Sequence, residues 1–100
     1  MEIEKVKEYQ DIYDKHLSTI NQVQKSLKLL KKSQKEYKKL LDYYYSEQFT
    51  KDFDDSNTFP IPDGMDLGIL SEDAIFDLIG ENYNLGVELM EIGLKIIKDN

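Results

Sequence analysis

GILSEDAIFDL, residues 68–78, separates an acidic loop that holds both prolines from the most apolar stretch of the chain. Its Ser-Glu-Asp is either a small acidic site or the start of a helix. Ser71 stands directly before a periodic apolar run, where a serine accepts hydrogen bonds from the orphan amides of a helix N-terminus. Glu72 and Asp73 fill the first turn, where negative charge complements the helix dipole. Ala74 holds the third helical position, so a full capping box is not formed. Ile69 and Leu70 can pack back across the turn. Ser71, Glu72 and Asp73 are therefore read as a helix cap. A catalytic carboxylate pair would need a convergent site that no other residues supply.

Towards the C-terminus, Ile75, Leu78, Asn82, Leu85, Leu89, Ile92 and Ile96 recur at a/d heptad spacing and predict a helix over 71–98. Ile79, Tyr83, Met90 and Ile97 widen its apolar face. Gly86 and Gly93 lie seven apart beside the d positions, each costing roughly 1 kcal/mol of helix propensity relative to alanine. Either they let a second helix approach closely or they are simply tolerated.

Towards the N-terminus, no proline precedes Pro60 and no glycine precedes Gly64. Val6, Tyr13, Ile20, Leu27, Gln34 and Leu41 fall seven apart, interleaved with Tyr9, His16, Val23, Leu30, Tyr37 and Tyr44. That a/d pattern predicts one helix over about 3–48, whose stretch from about Ile3 to about Tyr45 alone is roughly 65 Å long at 1.5 Å per residue. A 100-residue chain folded as a sphere of roughly 13 Å radius of gyration cannot cover such a rod. Either the helix breaks near Ser33-Gln34, or its exposed seam meets a partner. Residues 49–70 form the acidic loop. The expected fold is all-α and a single domain over 1–100: a long N-terminal helix and a C-terminal helix, as an antiparallel hairpin or small bundle, joined by the acidic, proline-containing loop.

The stretch YYYSEQFTKDFDDSNTFPIPDGMDLGILSEDAIFDLIGEN, residues 43–82, resembles domain-of-unknown-function family 4298, a group of small bacterial and phage proteins. The pattern rests on Tyr43, Tyr44, Ser46, Phe49, Asp52, Phe53 and Pro62, followed by Gly68, Ile69, Leu70, Ser71, Glu72, Asp73 and Leu78. It covers about residues 40–90, and the Gly-Ile-Leu-Ser-Glu-Asp run is its most specific part. Tyr45 stands where the family has glycine, Phe49 where it has tryptophan, and Asp66-Leu67 where it has a basic pair. The resemblance implies a long N-terminal helix, an acidic loop and a final helix; it implies no activity.

The formal net charge is −7, and all 13 basic residues are lysine. Gln24 to Lys39 holds seven lysines against Glu36, a net of +6, whereas Leu40 to Leu94 holds thirteen acids against Lys51, a net of −12. The whole repels polyanions. With no cysteine there is no disulfide framework, thiolate nucleophile or zinc knuckle. The acidic start MEIEKVKEYQ lacks the apolar core of a signal peptide, and no apolar run approaches a membrane span. A cytoplasmic location is expected.

Tyr43, Tyr44, Tyr45, Phe49 and Phe53 cluster at the end of the first helix. Adjacent helical positions turn by about 100°, so with Tyr44 on the seam Tyr43 or Tyr45 should be partly exposed. The cluster is either an anchoring patch for a partner or core covered by loop residues such as Ile61 and Met65. Asp52, Asp54, Ser56, Thr58 and Asp63 fall at positions 1, 3, 5, 7 and 12 of a calcium-loop count. Asn57 at the glycine position, Pro60 at the ninth and aspartate at the twelfth depart from that loop, and no cation is expected. His16, the only histidine, lies on a d position, and Gln34 on an a position; such residues fix register at some loss of stability. The lysine band at Lys25, Lys28, Lys31, Lys32, Lys35, Lys38 and Lys39 occupies the outer b, e and f positions. Lacking arginine and interleaved aromatics, it is a poor nucleic-acid surface, and pairing with the acidic half suits it better.

No phosphate loop, metal-ligand spacing or nucleophile elbow is present, so no enzyme, cofactor or metal is expected. The expected function is a small helical interaction module binding a protein partner or a second copy of itself, without direct nucleic-acid or membrane contact. The alternative is a phage or mobile-element inhibitor of the anti-CRISPR or anti-restriction type, whose carboxylates occupy the basic groove of a nucleic-acid-binding protein. Candidate partner-binding residues are Tyr43, Tyr45, Phe49, Asp54, Asp55, Asp73, Asp77, Glu81 and Glu88, with Glu91 continuing the acidic row.

Overall fold

The computed structural model describes residues 1–100 and contains helices but no strand. Helix α1 spans Ile3–Tyr44, α2 spans Glu47–Asp55, a single 3-10 turn spans Gly68–Leu70, and α3 spans Ala74–Asp99. The chain groups into two compact units, Met1–Asp42 and Tyr43–Asn100.

The first unit is one helix. Its 42-residue element runs through Ser33 and Gln34 without a break, so the first of the two outcomes open in the sequence is not realised. No residue of α1 is fully buried. Along the seam Val6, Tyr9, Tyr13, Ile20, Val23 and Leu27 remain 36–64 % exposed, and from Leu30 onward the a and d residues become half-buried. Surface bonds within the helix, such as Gln10 to Asp14 at 2.9 Å and the Lys39–Glu36 ion pair at 3.4 Å, add little each.

The second unit begins with the last turn of that helix. Residue 48 was the expected helix end and 49 the start of a loop; both boundaries are wrong. α1 stops at Tyr44, and residues 47–55 are a second helix. The reason is Ser46. Its amide and its hydroxyl both donate to the Tyr43 carbonyl, at 3.0 and 2.6 Å, which closes α1. Its backbone turns extended, and the same hydroxyl accepts from the Phe49 amide at 3.4 Å, which opens α2. Glu47 in the first turn and the i,i+4 bond from Gln48 to Asp52 at 2.7 Å favour continuation. Ser56 then repeats the closing device, donating from amide and hydroxyl to the Phe53 carbonyl. Pro60 follows and prevents resumption.

The loop that remains is built of tight turns. Met65 donates to the Pro62 carbonyl at 3.3 Å across a turn whose third residue, Gly64, has φ +80°, a conformation that side chains disfavour. Asp66 accepts from the Gly68 amide at 2.9 Å. The 3-10 turn that follows packs against both α2 and α3. At the start of α3, which packs on this turn, lies the one fully buried side chain, Ile75, with 2 % exposure; Leu67, Leu70 and Ile79 are half-buried.

The expected helix over 71–98 begins three residues late, at Ala74, and ends at Asp99. Ser71 nevertheless caps it. With extended backbone, it accepts from the Ala74 amide at 3.1 Å through its hydroxyl. Asp73 makes no side-chain cap bond; its carbonyl accepts the first helical bond, from Asp77 at 2.8 Å. Of the two readings open for Gly86 and Gly93, simple toleration is the one that holds within the chain. A Cβ built at Gly80, Gly86 or Gly93 meets nothing within 4 Å.

Candidate functional site

Two features carry chemistry: the aromatic elbow where α1 meets α2, and the exposed faces of the long helices. In the elbow, Phe49 lies edge-on to Tyr43 and Tyr44, with ring centroids at 5.5 and 5.0 Å. Phe53 continues the row at 6.3 Å from Phe49, one helical turn further on. These four rings are half-buried. Tyr45 is 73 % exposed, in line with the expectation that one flanking tyrosine faces outward. The cover over Tyr43 and Tyr44 is Phe49 of α2, whereas Ile61 and Met65 are themselves exposed.

The elbow is locked by a contact that sequence reasoning missed. The Tyr43 hydroxyl donates to Asp52 Oδ2 at 2.6 Å, and the Gln48 side-chain amide donates to Oδ1 at 2.7 Å. The Asp52 carboxylate thus clamps the end of α1 to α2. The hydrogen bond to Asp52, reinforced by desolvation and the nearby negative charge, pushes the Tyr43 hydroxyl up to about 12. The same bond, with that from Gln48, lowers the Asp52 carboxyl below its usual value. The contact therefore favours the protonated form of Tyr43 and the ionised form of Asp52.

Asp52 also answers the calcium count. Asp52 and Asp54 belong to α2, so the first ligands of that count lie on helical backbone and Asp52 is engaged with Tyr43 and Gln48. No group of three or more His, Cys, Asp or Glu side chains is gathered as a metal would require.

The remaining candidate residues separate into places. Tyr43 and Phe49 pack on each other; Asp54 and Asp55 lie exposed in the last turn of α2. Asp77, Glu81, Glu88 and Glu91 are exposed on α3, and at about 100° per residue they fall within one stripe that Asp73 begins. Asp66 is tied to the Gly68 amide, so the aspartate that departs from the basic pattern has a structural partner. No helix is long and apolar enough to cross a membrane.

The arrangement defines a strand-free helical protein whose chemistry lies on open helix faces and in one aromatic elbow. The chain belongs to the family Domain of unknown function (DUF4298), whose model matches residues 6–92. The match extends through α1, well beyond the elbow and final helix that carry the recognisable motif. No curated protein and no solved structure matches the chain.

Proposed function

We propose that the protein is a non-enzymatic helical interaction module that works by burying the exposed seam of α1 against a protein surface. The observation that carries this is the run of Val6, Tyr9, Tyr13, Ile20, Val23 and Leu27, each 36–64 % exposed on one continuous helix. Scattered apolar residues need no explanation, but a contiguous stripe of this length marks an association surface. Ile12 and Leu17, 57 % and 44 % exposed, widen it. The aromatic elbow closes the C-terminal end of this helix. A cytoplasmic location goes with this proposal.

The test is comparative capture. Tagged wild-type protein and a Leu27→Glu/Leu30→Glu variant are used as baits in nuclease-treated bacterial lysate, after circular dichroism has checked that both are helical. The module reading expects protein, the chain itself included, to be retained by the wild type and lost with the variant. Equal retention by both would sink it.

A second reading is favoured by the stripe of Asp77, Glu81, Glu88 and Glu91 on α3. An inhibitor presenting these carboxylates to a basic nucleic-acid-binding groove would bind with strong salt dependence. A partner released between low and moderate salt, and lost when three of the four are changed to glutamine or asparagine, supports this reading. Salt-insensitive retention counts against it.

A further inference from the structure

We infer that the occupant of the α1 seam is a second copy of the same helix, running antiparallel and centred near Ser18. This rests on the module reading above and names its partner.

The first argument is register. Val6, Tyr9, Tyr13, His16, Ile20, Val23, Leu27 and Leu30 are spaced alternately three and four apart. Reversing the chain leaves that alternation unchanged, so an antiparallel copy places a positions level with d positions. Val6 then meets Leu30 of the second copy, Tyr9 meets Leu27, Tyr13 meets Val23, and His16 meets Ile20. Each bulky or polar residue faces an aliphatic one. A parallel, in-register pair would instead stack Tyr9, Tyr13 and His16 on themselves.

Charge selects the same direction. Met1 to Asp14 holds five acids against Lys5 and Lys7, a net of −3, and Gln24 to Lys39 carries a net of +6. Antiparallel pairing lays the acidic end of each copy beside the basic band of the other, whereas parallel pairing lays lysines beside lysines. These side chains sit mostly off the seam, so they set orientation more than affinity. The positions that flank the seam between Gln10 and Ser26 are Gln10, Ile12, Leu17, Thr19, Gln24 and Ser26, none of them charged. No like-charge contact opposes association there.

Extent is the third argument. The a and d residues are exposed from Val6 to Leu27 and half-buried from Leu30, so the uncovered run coincides with the overlap this register creates. The exposed parts of the seam residues with Ile12 and Leu17 offer on the order of 700 Å² per copy, near the roughly 800 Å² per partner of a standard interface.

Because the chain has no cysteine, introduced thiols report register without background. Full-length Tyr9→Cys and Leu27→Cys chains are mixed, oxidised gently and resolved by mass spectrometry. The expected product is the mixed 9–27 disulfide, at least fivefold over the 27–27 and 9–9 homodisulfides. Predominance of the homodisulfides means a parallel pair and overturns the inference. Absence of any crosslink, with both chains helical, means no self-pairing and also overturns it. As a control for folding, Asn21→Cys lies on the outer surface and should crosslink at least fivefold less than the mixed pair; equal crosslinking would show random collision and overturn the inference too. If self-pairing fails while seam-dependent capture of another protein persists, the module reading stands and only the occupant is wrong. If both fail, both fall.

Discussion

At the residue scale, Tyr43 and Asp52 form the contact on which the elbow turns. A tyrosine whose hydroxyl is held up at about 12 favours the folded state fully below its ordinary value of 10.0, and that contribution disappears as pH rises through about 12. Asp52, lowered from 3.8, contributes above its ordinary value and loses that contribution as pH falls through the lowered one. The stability difference between wild type and Tyr43→Phe is therefore expected to be largest from about pH 5 to pH 9 and to shrink at both extremes. Urea titrations of the two proteins from pH 3 to pH 12 check this; a difference independent of pH would contradict the clamp. Ile75→Ala should destabilise by about 2–4 kcal/mol, as the only fully buried side chain, and Ser71→Ala by about 1 kcal/mol through loss of the cap. Chemical denaturation measures both. Ser71 was legible in the sequence because a cap acts within a few residues of its own position. The Tyr43–Asp52 bond was not, because it depends on where a turn places two helices.

At the element scale, α2 was the part of the fold that sequence reading lost. Its acidic composition, Asp52, Asp54 and Asp55, read as a solvated loop. The signal against that was present: Ser46 as a cap followed by Phe49 and Phe53 at i,i+4 spacing. Nine residues give too little periodicity to outweigh composition, and packing against Tyr43 and Tyr44 supplied what propensity did not. α1 and α3 were legible because heptads persist over many turns; their ends were placed less well because caps fix them locally. The two readings of Gly86 and Gly93 stayed open for a related reason, since spacing alone cannot tell close approach from open space. Gly86→Ala is expected to raise stability by about 0.5–1 kcal/mol, with nothing near its Cβ position. Thermal melts test it, and a destabilised Gly86→Ala would mean that an unseen partner packs against that face.

At the scale of the whole molecule, the dominant fact is apolar surface without cover. Beyond the α1 seam, Phe76, Tyr83, Met90 and Ile97 of α3 are 65–77 % exposed. A chain with a single fully buried side chain has a small core for its 100 residues, and association is the ordinary remedy for small cores. The heptads made this tension visible in the sequence, since the rod was too long for the chain to cover. They could not say which way the tension resolves, because a break and a partner satisfy the same pattern. The unbroken α1 removes the break. If the seam pairs as proposed, stability depends on protein concentration, with dilution lowering the melting temperature.

Sedimentation equilibrium of the wild type and of Leu27→Glu/Leu30→Glu tests this most directly. The account predicts a wild-type species of twice 11.7 kDa that dissociates on dilution, and a variant that sediments at 11.7 kDa or unfolds. A wild type that remains at 11.7 kDa at every concentration, or a double variant that remains folded and dimeric, would contradict it.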